Sequence, residues 1–259
     1  MEESPHTATS FSIKQVTSME RHITAATQTA MPPFGCGAVY ELTPSHGAWM
    51  ESVLYGFTGG ADGAAPEAGV IFDGSGNLYG TTLGGGAGGN GTAFQLIAAG
   101  SSRMKNALHA FGGLNDGAEP RCGLILDLSG DLYGTTFRGG SSAGGTVFEL
   151  TPSNGGWTYA VLYSLYGCDG CGPRASLVMD TAGNLYGTTE QEGAYGYGSV
   201  FKLTRSAGGW TYTSLHDFAG MSDGGMPIGS VAFDSNGNLY GTAYDGGAYG
   251  YGVVFEITP

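Results

Sequence analysis

Apolar residues in this chain come in short runs that alternate with polar ones, and Gly, Asn and Asp separate the runs. The pattern is clearest in residues 175–218, where four runs follow one another at 175–180, 184–189, 199–204 and 210–218. Short runs of this kind between turn residues predict consecutive antiparallel strands. No part of the pattern carries a 3.6-residue apolar period long enough for a helix.

The pattern also repeats. Leu-Tyr-Gly-Thr begins at Leu78, Leu132, Leu185 and Leu239, at intervals of 54, 53 and 54 residues. An aromatic residue in a second recurring context stands at Tyr40, Phe94, Phe148, Phe201 and Phe255, at intervals of 54, 54, 53 and 54. Two independent markers with one period define a structural unit. Four strands per unit predict an all-β fold, a β-propeller of four-stranded blades. The turns at Asp73, Asp127, Asp180 and Asp234 read as hairpin links whose carboxylates accept local backbone N–H groups. Pro66, Pro120, Pro173 and Pro227 mark the start of each inner strand, where a missing N–H is tolerated. Five blades are expected in a single domain, with units at about 1–57 (degenerate), 58–111, 112–166, 167–218 and 219–259. The ring would close between the two termini. Four blades plus an N-terminal extension is the alternative.

The run from Pro173 to Thr189, with Gly183-Asn184-Leu185-Tyr186 inside it, resembles a blade of the NHL and gluconolactonase-like propellers. The whole unit, Asp-Gly, Pro, Gly-Asn-Leu-Tyr-Gly-Thr-Thr and Val-Phe-Glu-Leu-Thr-Pro, is closely similar to the GloVer (Gloeo/Verruco) tandem repeats of bacterial surface proteins. That resemblance implies an extracellular or cell-surface setting. The gluconolactonase-like resemblance implies calcium at a channel mouth, polarising a lactone or ester carbonyl.

Composition narrows the partners. The 259 residues include 50 Gly, yet 15 Tyr, 12 Phe and 3 Trp supply apolar surface for a core. Nine Lys and Arg against 22 Asp and Glu give a net charge of −13, which repels phosphate backbones and anionic lipid. Nucleic acid is therefore not an expected partner. No apolar run approaches the roughly 20 residues of a membrane span, and residues 1–5 lack the features of a signal peptide. A monomer is expected.

Candidate chemistry lies in the loops predicted to share one end of the sheets. Asp62, Asp116, Asp169 and Asp223, each before a Gly, form an acidic set that a hard cation such as calcium would neutralise. The positions after the prolines carry Glu67, Arg121, Arg174 and Ile228, and symmetry-breaking positions are where a repeat scaffold acquires function. Arg121 and Arg174 suit a carboxylate or a polarised carbonyl oxygen, with Glu67 or Glu190 as base. Tyr195, Tyr197, Tyr249 and Tyr251, with Asp245, form a rim suited to stacking on sugar rings. Two functions follow: calcium-assisted hydrolysis of a small lactone or ester, or non-catalytic binding of a glycan or protein partner. No Gly-x-Ser-x-Gly elbow, His-Glu-x-x-His or P-loop is present. His109 and His216 occupy equivalent outer strands and read as packing residues. A disulfide from the Cys168–Cys171 loop, internal or to Cys122, is an open expectation.

Overall fold

A computed structural model describes residues 36–99, 102–166 and 170–258. Seventeen strands form five antiparallel sheets among these residues, and the remaining structure is turns and two single-turn 3-10 segments. The first sheet has two strands, β1 (Ala38–Ser45) and β2 (Ala48–Gly56). Three four-stranded sheets follow. The second holds β3 (Ile71–Phe72), β4 (Leu78–Thr82), β5 (Thr92–Ala99) and β6 (Ser102–Ala110). The third holds β7 (Ile125–Leu126), β8 (Leu132–Thr136), β9 (Thr146–Ser153) and β10 (Gly156–Ser164). The fourth holds β11 (Val178–Met179), β12 (Leu185–Thr189), β13 (Ser199–Ser206) and β14 (Gly209–Asp217). The fifth has three, β15 (Ala232–Phe233), β16 (Leu239–Ala243) and β17 (Val253–Ile257). The all-β expectation and the four-stranded unit hold for the complete repeats. The strands expected before residue 36 lie outside the described residues.

Every sheet is a meander, paired in chain order. The inner strand is shorter than the sequence pattern predicts, with only two residues in regular pairing. The residues between the proline and that pair direct backbone groups sideways, toward other sheets. The Thr81 hydroxyl donates to the Cys122 carbonyl at 2.7 Å, and the Gly123 N–H donates to Ser176 Oγ at 3.0 Å.

Sheets pack face to face in sequence. Val39 of the first sheet meets Leu78, Phe94 and Leu96 of the second. Tyr79 and Ala93 of the second meet Leu124, Leu132, Phe148 and Leu150 of the third. The pattern recurs between the third and fourth sheets around Tyr133, Val147 and Phe201, and between the fourth and fifth around Tyr186, Val200 and Leu239. The glycine of Leu-Tyr-Gly-Thr is fixed by the aromatic ring opposite it on the next strand of its own sheet. A Cβ on Gly80 would lie 2.8 Å from the Phe94 ring, and one on Gly134 or Gly187 would lie 2.6 Å from Phe148 or Phe201. The aromatic marker and the glycine marker are therefore one contact seen twice in the sequence.

The second hairpin link is built as expected. Asp73 Oδ1 accepts the Ser75 and Asn77 N–H groups at 2.9 Å, while Oδ2 accepts from the Asn77 amide at 2.8 Å and the Tyr79 hydroxyl at 2.9 Å. Asp180 and Asp234 make the same turn. In the third sheet Asp131 stands where the others have Asn, so the turn loses its amide donor. Partial burial opposes ionisation of Asp73 and Asp180, but the Asn side chain, the backbone N–H groups and the Tyr hydroxyl outweigh it, and both carboxyls titrate below their ordinary range.

Two outcomes are expected. Gly134→Ala overpacks the Phe148 contact and should destabilise by about 1–3 kcal/mol, read as a lower denaturant midpoint with an unchanged slope. A carboxyl whose folded pKa is depressed stabilises fully above its unfolded value near ~3.9 and loses that contribution as pH falls through the folded value. Unfolding free energy should therefore decline below about pH 4, and Asp180→Ala should flatten that decline when denaturation is followed across pH.

Candidate functional site

The link from each outer strand to the next inner strand carries the candidate residues, and one backbone device fixes it. Ala65, Glu119, Gly172 and Met226 precede the four prolines and are left-handed, with φ of 53°, 55°, 67° and 54°. Each is clamped from two sides. Its N–H donates to a carbonyl of the preceding unit: Cys36, Asn90, Gly144 and Tyr197, at 3.1, 2.9, 2.9 and 2.8 Å. Its own carbonyl accepts from the residue just past the second strand: Leu83, Phe137, Glu190 and Tyr244, at 3.0, 3.0, 3.2 and 3.1 Å. The clamp carries the linker of one unit against the second-strand exit of the same unit. This brings residues of three sheets to one end.

Phe137 is the centre of what gathers there. The guanidinium carbons of Arg121, Arg174 and Arg138 lie 4.6, 5.2 and 5.7 Å from its ring centroid. These are three of the nine Lys and Arg in the chain. Carboxylates balance them: Arg121 reaches Glu119 at 3.0 Å and Glu67 at 3.6 Å, and Arg138 reaches Glu119 at 3.4 Å. Arg174 Nε stands 2.7 Å from Glu190 Oε2. Glu190 is 6% exposed, so this is a largely buried ion pair, and Oε2 makes no hydrogen bond beyond it. Arg121 Nε is also buried without a hydrogen-bond partner. A buried polar atom without a hydrogen bond is rare and costly, and Arg121 Nε beside the Phe137 ring is such an atom.

Of the residues singled out by sequence, Glu67, Arg121, Arg174 and Glu190 are thus brought together. Sequence reasoning passed over Phe137, Glu119 and Arg138. The signal was present: Phe137 and Glu190 are equivalent to Leu83 and Tyr244, and no two units carry the same residue there.

The acidic set is arranged differently. Asp62 accepts from the Thr58 N–H at 2.9 Å, the Thr58 hydroxyl at 2.5 Å and the Tyr55 hydroxyl at 3.1 Å. Burial raises its pKa, the donors of Thr58 and Tyr55 lower it, and the net shift is downward. Asp116 accepts from the Gly112 N–H and meets His109 Nε2 at 3.0 Å; Asp223 accepts from the Ala219 N–H at 2.8 Å and meets His216 Nε2 at 3.2 Å. Each carboxylate ties its loop back onto its own outer strand, and the two histidines serve that tie. Asp169 lies outside the described residues. Among the described residues no group of three or more His, Cys, Asp or Glu is gathered to hold a metal ion.

The tyrosine rim divides. Tyr197 packs against Gly220 and Gly225 of the next linker, while Tyr195 borders a shallow groove with His216, Asp217 and Asp223. Tyr249 and Tyr251 are 88% and 92% exposed, and Asp245 pairs through its backbone with Gly225. Cys122 is a buried free thiol with Sγ 3.1 Å from Thr135 Oγ1, so the disulfide to Cys122 does not form. Cys168 lies outside the described residues.

The Gloeobacter/Verrucomicrobia repeat model matches residues 21–161 and 129–259. The chain belongs to this repeat family. The 53-to-54-residue period of this chain is the unit seen in the sheets. Among curated proteins none matches the chain. Among solved structures, a protein of unknown function from Dyadobacter fermentans is similar at 11% identity over 90% of this chain and 75% of that one, with a TM-score of 0.50. A Bacteroides uniformis protein named as a 6-phosphogluconolactonase is similar at 14% identity over 86% and 65%, with a TM-score of 0.47. A Thermus thermophilus protein named as a glucose dehydrogenase is similar at 13% identity over 88% and 94%, with a TM-score of 0.33. At these identities the likeness concerns the fold.

Glu119 gives a direct test of whether the repeat family member keeps this cluster at a cost. A left-handed non-glycine residue costs roughly 1–2 kcal/mol, whereas partly exposed ion pairs of this kind contribute roughly 0–1 kcal/mol. Glu119→Gly should therefore leave thermal stability equal or raised, with Glu67→Ala near neutral; a marked fall in melting temperature for Glu119→Gly would show that the cluster is structural.

Proposed function

We propose that the Phe137 cluster binds a small hydroxylated carboxylic acid or its lactone, and that it hydrolyses the lactone or a related ester. The observation that carries this reading is the buried Glu190 carboxylate, held by Arg174 at 2.7 Å in the same cluster as Arg121, whose buried Nε has no hydrogen-bond partner. Guanidinium groups are suited to hold a carbonyl oxygen on which negative charge develops. Glu190 is suited to take a proton from water as the water oxygen adds to the carbonyl carbon. When the ring C–O bond then breaks, the same proton passes to the leaving oxygen and a hydroxy acid is released. Phe137 supplies the apolar floor on which the arginine planes are stacked.

This reading takes the five sheets as blades set radially about one axis. It also takes the chain to work outside the cell, as the surface-repeat resemblance implies. Calcium from the Asp–Gly turns is given no step, because the described carboxylates are engaged by their own loops. A second reading, non-catalytic glycan binding, is favoured by Tyr195, which is 64% exposed beside the groove to His216 and Asp223.

A panel of lactones and esters, assayed with calcium and again with a chelator, decides between them. Turnover that survives the chelator and falls by about a hundredfold or more in Glu190→Gln supports the hydrolase. Turnover abolished by the chelator returns calcium and Asp169 to the mechanism. Absence of turnover in both conditions, with binding on a glycan array that Tyr195→Ala removes, supports the second reading.

A further inference from the structure

Among the described residues the stack of sheets has two open ends, and the chain itself shows what each end fits. Val39, Ala93, Val147 and Val200 are equivalent positions, all at most 1% exposed beneath the next sheet; their counterpart in the fifth sheet, Val254, is 80% exposed. Tyr79, Tyr133 and Tyr186 are 4%, 1% and 8% exposed, against 36% for Tyr240. Among the described residues nothing covers the face of the fifth sheet that every earlier sheet buries.

The opposite end carries the matching half. Trp157 of the third sheet packs edge-on to Tyr79 of the second at 5.9 Å, and Trp210 of the fourth packs likewise on Tyr133 of the third at 6.3 Å. The equivalent tryptophan of the first sheet, Trp49, is 69% exposed. Trp49 and Tyr240 are thus the two unpaired halves of a contact that the chain makes twice internally.

We propose that the open face of the fifth sheet docks onto the open face of the first sheet of a second copy of this chain, head to tail. The occupant follows from continuity with the internal interface: the surface that buries Val200 under the next unit is repeated at Val254, and among the described residues only the first-sheet face presents the tryptophan it calls for without a sheet already in front of it. Such a heterologous contact closes into a ring when the rotation allows and extends as a filament when it does not.

Sedimentation velocity on the full chain over a wide concentration range tests this. The wild type should associate in a concentration-dependent way. Val254→Arg disables one end and Trp49→Glu the other, so each alone should sediment as a monomer, with association weakened tenfold or more. An equimolar mixture of the two should form a discrete one-to-one dimer, because each retains the end that the other lacks. Met50→Glu, at the exposed neighbour of Trp49 on the other side of β2, should behave as wild type, and the dimer formed by the mixture shows that both end variants fold. A wild type that is monomeric at every concentration, as closure of the ring within one chain or coverage by residues 1–35 would give, overturns the proposal. So does a mixture that stays monomeric, or an oligomer that persists in both variants.

Discussion

The clamp at the residue before each proline sets both the succession of the sheets and the position of the site. Its N–H is held by the preceding unit and its carbonyl by its own, so neither can shift without breaking a bond to the other. This double hold keeps Ala65, Glu119 and Met226 in a backbone region that side-chain-bearing residues seldom adopt. Only in the fourth sheet is the position a glycine, Gly172, for which the conformation costs little. Strain accepted at Glu119 places a carboxylate between Arg121 and Arg138, and strain of this kind tends to collect at functional positions.

A chain with net charge −13 has few cations to distribute. Placing three arginines on one phenylalanine therefore leaves most of the remaining surface acidic. Within the cluster Glu67, Glu119 and Glu190 match the three arginines charge for charge.

Period, strand content and hairpin turns were legible because they depend on local rules: alternation, Gly at positive φ and Asp accepting its own turn's N–H groups. Asp73, Asp180 and Asp234 could be assigned to turns on that basis alone. The short inner strand was not legible, because the residues after each proline bond sideways to other sheets, and such contacts leave no mark on a single unit's pattern. The Asp–Gly carboxylates were read as a converging set because symmetry repeats a ligand and a loop tie identically; only Tyr55, His109 and His216, seven residues earlier, distinguish the tie. Phe137 escaped notice because an aromatic after two threonines looks like core. Its role appears when Leu83, Phe137, Glu190 and Tyr244 are aligned and found to differ.

Between the second and third strands of the complete sheets lies a seam of paired hydroxyls: Thr82 with Thr92, Thr136 with Thr146 and Thr189 with Ser199, each at 2.8–2.9 Å and fully enclosed. The fifth sheet has Ala243 opposite Val253 at the same place, with both hydroxyls gone together. The second-strand threonines are held further: each accepts the N–H of the residue facing it, and Thr82 and Thr136 also donate to the carbonyls of Gly84 and Arg138. Where Ala243 and Val253 replace the pair, the fifth sheet gives up this side-chain anchor of strand to loop and keeps only the backbone ladder at that place.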